Sequence, residues 1–205
     1  MKTNRIISGA LAALTGLACL ALAQGAGSSL KFKVPVGLTY ANGAYDLNDK
    51  LKESLHEQGY AVTDDFVWPV GLTLNPRVEF PCGFGVGAAF GPTEFIEVKR
   101  EGCDDDLSYI LPVGAYLQYS LRRDRDVSPY VRVGFRYPFT GGDFLKDGTV
   151  GPFGAVGVEF LRQKRIAFGV EVGYDASEVK VTAGAGRADK KIKPIGFNAS
   201  LFVLF

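Results

Sequence analysis

The chain is organised by a two-residue rhythm of apolar and polar positions. Between Phe66 and Phe80 the even positions read Phe66, Trp68, Val70, Leu72, Leu74, Pro76, Val78 and Phe80. The odd ones include Pro69, Gly71, Thr73, Asn75, Arg77 and Glu79. Successive side chains of a strand point to opposite faces, so this run predicts a two-faced strand. A slip of one residue would put Arg77 and Glu79 on the apolar face, which specifies the register tightly. The pattern recurs in Leu30–Leu38, Phe84–Phe90, Leu107–Leu121, Val131–Tyr137, Val156–Phe160, Ile166–Tyr174 and Ile195–Phe205. An antiparallel barrel of about eight strands follows, most of them near the length a tilted strand needs to cross a bilayer.

The connections alternate short and long. Short turns fall at Pro81-Cys82-Gly83, Arg122 to Asp126 and Arg162 to Lys164. Long loops run from Asn42 to Asp65, Pro92 to Asp106, Pro138 to Thr149 and Ala176 to Lys191. Short periplasmic turns and longer extracellular loops are the habit of outer-membrane barrels. Tyr40, Trp68, Tyr109, Tyr119, Tyr137 and Phe205 fall near strand ends, where an aromatic girdle sits. A soluble barrel would turn its apolar faces inward. The minor faces decide against that: they are rich in Gly yet carry Arg77, Glu79, Arg132, Arg136, Glu159 and Glu171. These six are the expected lumen charge network. The predicted fold is therefore all-β, an eight-stranded antiparallel up-and-down transmembrane barrel.

The N-terminus modifies this picture only by adding export. Lys2 and Arg5 precede an Ala/Leu-rich stretch that closes on Ala21-Leu22-Ala23 before Gln24. That is the layout of a signal peptide over residues 1–23, with the barrel domain occupying 24–205. Gly16 stands where a lipidation motif before Cys19 normally has Leu. The formal net charge of +1 gives no footprint for nucleic acid. A single His excludes a multi-histidine metal site, and no cofactor is expected.

The final segment, with Gly196, Phe197, Leu201, Val203 and Phe205, resembles the β-signal of bacterial outer-membrane proteins. Over the mature chain the pattern resembles the small eight-stranded barrels of the OmpA, OmpX and OmpW kind. That resemblance implies outer-membrane lipids as surroundings and the barrel-assembly machinery as the partner reading the last strand. Nothing follows that strand, so a peptidoglycan-binding domain is not implied.

Other chemistry is sparse. Leu47, Leu51 and Leu55 at four-residue spacing predict a short amphipathic helix over Asp49–Gln58, with Gly59 as its stop. His56, beside Glu57 and near Ser54, invites a lipid-modifying hydrolase, but the position two residues after the His is Gln58, where the lipid A deacylases have Ser. No catalytic residue is assigned. Cys82 and Cys103 would pair by default in an oxidising compartment, yet the strand map puts them at opposite ends of the barrel. Asp104-Asp105-Asp106 and the basic segment Gly184 to Lys191 read as solvated loops. The expected role is a structural or surface-interaction barrel acting through its loops, with a narrow solute channel and a lipid A enzyme as alternatives.

Overall fold

The computed structural model describes residues 30–100, 106–122, 124–142, 145–181 and 190–205. The signal segment with Cys19, the acidic pair Asp104-Asp105, Cys103 and the Gly184-Ala-Gly-Arg187 stretch lie outside the described residues. The elements are β1 (Lys31–Lys33), β2 (Pro35–Ala41), α1 (Gly43–Glu57), β3 (Val62–Trp68), β4 (Val70–Leu74), β5 (Arg77–Glu79), β6 (Phe84–Phe90) and β7 (Glu94–Arg100). There follow β8 (Asp106–Ser120), β9 (Val127–Gly141), β10 (Leu145–Thr149), β11 (Gly151–Phe160), β12 (Ala167–Asp175), β13 (Glu178–Val181), β14 (Lys190–Ile192) and β15 (Gly196–Leu204).

Twelve of these segments form one sheet that closes as an eight-stranded antiparallel barrel. The barrel strands are β1 with β2, β3 with β4 and β5, β6 with β7, and then β8, β9, β11, β12 and β15. Closure runs from β15 to β2, where Leu201 lies opposite Leu38 and Val203 opposite Val36. A closed ladder leaves no unpaired strand edge, as a lipid environment requires.

The run Phe66–Phe80 is three segments, not one continuous ladder as the alternation suggested, with breaks at Pro69 and at Asn75-Pro76. Proline has no N–H to give the ladder, so prolines interrupt it. The face parity survives both breaks: Phe66, Trp68 and Leu72 are exposed while Gly71, Thr73, Arg77 and Glu79 are buried. Across Gly91-Pro92-Thr93 the parity does change. Phe84 and Phe90 point outward from even positions, whereas beyond the break Phe95 points outward and Ile96 inward. One extra residue accounts for this, as in a β-bulge.

All three short turns occur where the alternation put them, at the end that also holds Lys31 and Phe205. The expected long loops are more ordered than their sequence suggested. β9 runs 15 residues where the alternation gave Val131–Tyr137, while β8 has the 15 residues expected of it; both exceed the ~9–11 a spanning strand needs. β3 and β7 form a hairpin-like extension with Phe66 opposite Glu97, and β10, β13 and β14 make a separate three-stranded sheet. The helix spans Gly43–Glu57, starting six residues before the expected Asp49. It stops where Gly59 adopts φ +86°, with the Tyr60 N–H on the Leu55 carbonyl at 3.1 Å and the Gly59 N–H on that of His56 at 3.0 Å. This is a Schellman ending, which glycine accommodates because it has no Cβ.

Candidate functional site

Outward positions carry the apolar side chains: Leu38, Leu117, Val133, Phe135, Phe168 and Val172 are exposed around the barrel, and Leu201 is 68% exposed. Inward positions carry the charge. Arg77, Glu79, Arg132, Arg136, Glu159 and Glu171 are all buried, and they stack in three levels along the lumen.

The first level lies near the short turns. Arg77 bonds Glu79 through Nε at 3.1 Å and also pairs with Glu159. Arg162 reaches the same two carboxylates, at 3.0 Å to Glu159 and 2.5 Å to Glu79. Its Nη1 also donates to the Ser128 hydroxyl at 2.9 Å. Lys33 completes the group at 3.6 Å from Glu159. Arg162 belongs by sequence to a turn. It folds back inside because Leu161 takes a left-handed φ of 55°, uncommon for a residue with a Cβ.

At the second level Arg132 bonds Glu171 at 3.1 Å and donates to Gln118 Oε1 at 3.1 Å. Its guanidinium lies 4.4 Å from the Tyr116 ring centroid, and the Tyr130 hydroxyl donates to Glu171 at 2.7 Å. Gln118 Nε2 also donates to Glu159 at 3.4 Å, which links the first two levels. At the third level Arg136 meets Asp175 at 3.1 Å and covers the Phe153 ring at 4.2 Å. Large lumen rings explain part of the glycine-rich minor face: a Cβ on Gly169 would collide with the Phe202 ring. Sequence reasoning missed Arg162, Asp175, Lys33, Gln118, Tyr116 and Tyr130. All but Arg162 sit at inward-parity positions, so a parity list that admitted every polar or aromatic inward residue finds them.

Above these levels α1 closes the mouth. Leu47, Leu51 and Leu55 bury against Ile96 of β7, Ile110 of β8, Leu145 of β10, Val179 and Val181 of β13, and Ile192 of β14. Burying a leucine contributes ~1.5–3 kcal/mol, so three of them make a substantial seat. Asp65 of β3 fixes the helix from the side: the Asn48 amide donates to it, and Lys52 lies 3.1 Å away. These two contacts outweigh the opposing effect of partial burial and hold the Asp65 carboxyl below its ordinary range.

The remaining candidates fall elsewhere. His56 is exposed on α1, whereas Ser54 is buried on the other side and accepts from the Gln58 amide at 3.3 Å. The helix therefore does not bring the two together. Cys82 is exposed in its turn. In the last strand Phe197, Leu201 and Phe205 are exposed, Val203 is half-buried, and Gly196 is buried at the strand's start. The outward aromatic positions cluster in pairs, with Phe84 on Tyr119 at 4.8 Å and Tyr174 on Phe197 at 4.9 Å between centroids.

A closed barrel that is apolar outside and charged inside is a transmembrane β-barrel. The chain belongs to the outer membrane protein β-barrel domain family, whose pattern it matches over residues 10–204. Its shape is similar to that of the outer membrane protein OprG from Pseudomonas aeruginosa, with a TM-score of 0.54 at 14% identity over 88% of this chain and 97% of that one. It is also similar to the outer membrane protein W of E. coli, with a TM-score of 0.52 at 17% identity over 88% of this chain and 99% of the other. At these identities the likeness concerns the fold. Comparison with curated proteins finds no match. The protein is thus an outer-membrane β-barrel.

Proposed function

We propose that the barrel is a closed scaffold with a packed polar interior, and that its role is structural or surface-interactive and exerted through its extracellular parts. The observation that carries this reading is the combination of the ion-paired lumen and the apolar seat of α1. Each of Arg77, Arg132, Arg136 and Arg162 points into the lumen and has a carboxylate partner there. Interiors of eight-stranded barrels are just wide enough for side chains to fill, and breaking a buried, hydrogen-bonded ion pair is strongly destabilising because it leaves an uncompensated charge behind. Above, α1 and the β10–β13–β14 sheet present a folded surface to the exterior.

Export through a cleaved leader of residues 1–23 and recognition of Gly196, Phe197, Leu201, Val203 and Phe205 by the barrel-assembly machinery belong to the same reading. The exposed aromatic and aliphatic row of the last strand supports the second. A liposome-swelling assay tests the closed state: vesicles holding the refolded protein should swell in small sugars no faster than empty ones, and rapid swelling would refute it.

A further inference from the structure

The three-stranded sheet outside the barrel holds a row of like charges. Lys146 of β10 lies directly opposite Lys180 of β13, and Lys180 lies directly opposite Lys191 of β14. Directly opposed residues of antiparallel strands project from one face with Cβ atoms about 4.5–5.5 Å apart. Three ammonium stems are therefore neighbours across the sheet. The other face is apolar: Leu145, Val179, Val181 and Ile192 bury against α1, so the lysine face looks away from the barrel axis.

Like charges directly opposite one another destabilise a sheet. Lysines on sheet edges are a common guard against unwanted strand pairing, but β13 is the central strand, and Lys180 has no edge to guard. Glu178 on that face pairs with Lys191 at 3.6 Å. The location supplies the rest. Lys193 continues the parity of Lys191 and donates from Nζ to the Tyr174 hydroxyl at 3.0 Å. Tyr174 is an outward aromatic at the upper end of β12, its ring tilted against that of Phe197 at 4.9 Å, and aromatic side chains at strand ends mark the level where lipid headgroups begin.

We propose that Lys146, Lys180, Lys191 and Lys193 form a docking face for the phosphate groups of an outer-leaflet glycolipid. The anions neutralise the lysine row, and Lys193 on Tyr174 marks where the headgroup meets the barrel wall. An ammonium is a compact point charge with three donors and tolerates the mixed geometries that a mobile lipid phosphate presents. A basic residue near an anionic surface contributes enough that removing three of them weakens binding by at least about tenfold. This face lies outside the lumen, so its failure and that of the closed-barrel reading are separately visible.

The test uses the full barrel refolded in nanodiscs doped with bisphosphorylated lipid A, and native mass spectrometry reads the lipid that stays bound. Wild type should retain the lipid, and K146Q/K180Q/K191Q should retain at least about tenfold less. A variant at the opposite end, K164Q/R165Q, should retain it as wild type does. Dephosphorylated lipid A should be held weakly by all three. Folding of each variant is confirmed by heat-modifiable gel mobility. Should the triple variant not fold, K180Q alone, on the central strand, should still lose several-fold retention. Equal retention by wild type and the lysine variant, or retention indifferent to the lipid's phosphates, would overturn the proposal. So would displacement of the lipid by an equimolar amount of inorganic phosphate, which would make the face a free-anion site.

Discussion

Glu159→Gln is the substitution that weighs the lumen most sharply. Glu159 is 0% exposed and is shared by Arg77, by Arg162 at 3.0 Å, by Lys33 at 3.6 Å and by the Gln118 amide at 3.4 Å. In the first level three cations, Lys33, Arg77 and Arg162, face two carboxylates, Glu79 and Glu159; the substitution leaves the three on one carboxylate. Removing one partner of a buried, hydrogen-bonded ion pair costs ~3–5 kcal/mol, because the remaining charges stay desolvated. A water-filled lumen would screen the same charges, and the loss would fall to ~0–1 kcal/mol. The size of the effect therefore distinguishes a packed interior from a wet one. Urea unfolding in lipid vesicles, followed by the emission of the single tryptophan, Trp68, which lies outward and half-exposed, supplies the measurement. The midpoint should fall with little change in slope. Adding Arg162→Gln returns the level to its original net charge, so the double variant should be more stable than additivity predicts by ~0.5–3 kcal/mol. A loss under ~1 kcal/mol for Glu159→Gln, or strict additivity, would refute the packed-network reasoning.

Three further outcomes follow from the same geometry. In a Cys103→Ser background Cys82, exposed in its turn, should resist an impermeant maleimide on intact cells and label once the envelope is opened; labelling of intact cells would invert the topology. Asp65 is held below its ordinary carboxylate range by the Asn48 amide and by Lys52, so its contribution to seating α1 is complete above the unfolded-state value and fades as pH falls through the folded one. The α1 amide resonances in micelles should therefore shift on acidification, and Asp65→Asn should remove that acid step; an unchanged acid step in the variant would rule out Asp65. Deleting Phe205, exposed at the end of the last strand, should lower the yield of folded barrel in outer membranes while leaving spontaneous refolding in detergent intact. Equal membrane yields would detach that residue from assembly.

Much of the barrel is legible in the chain because one physical rule, apolar toward lipid and polar toward the lumen, governs every spanning segment. That rule places Leu38, Leu201, Arg132 and Glu171 on their faces without any coordinates. It fails where its cause stops. Above the membrane, outward no longer means lipid, so Ile96 and Ile110 face inward to meet α1, and the β7 extension that carries Ile96 looks like a loop when judged by the lipid rule. Prolines at positions 69 and 76 break the ladder without breaking parity, since hydrogen bonding and side-chain direction are separate properties. Arg162 was hidden for a different reason. Its direction depends on the unusual backbone of Leu161, which nothing in the residue type announces. Pairing across the lumen, such as Arg77 with Glu159 or Arg132 with Glu171, depends on strand stagger around the closed barrel, which alternation within a strand does not contain.

Single-channel recording in planar bilayers is the most direct test of the closed barrel. Wild-type protein, verified as folded, should give no stable steps above the bare-membrane baseline under a sustained potential of either sign. Large, regular, long-lived conductance steps from the same preparation would show an open lumen and contradict the account.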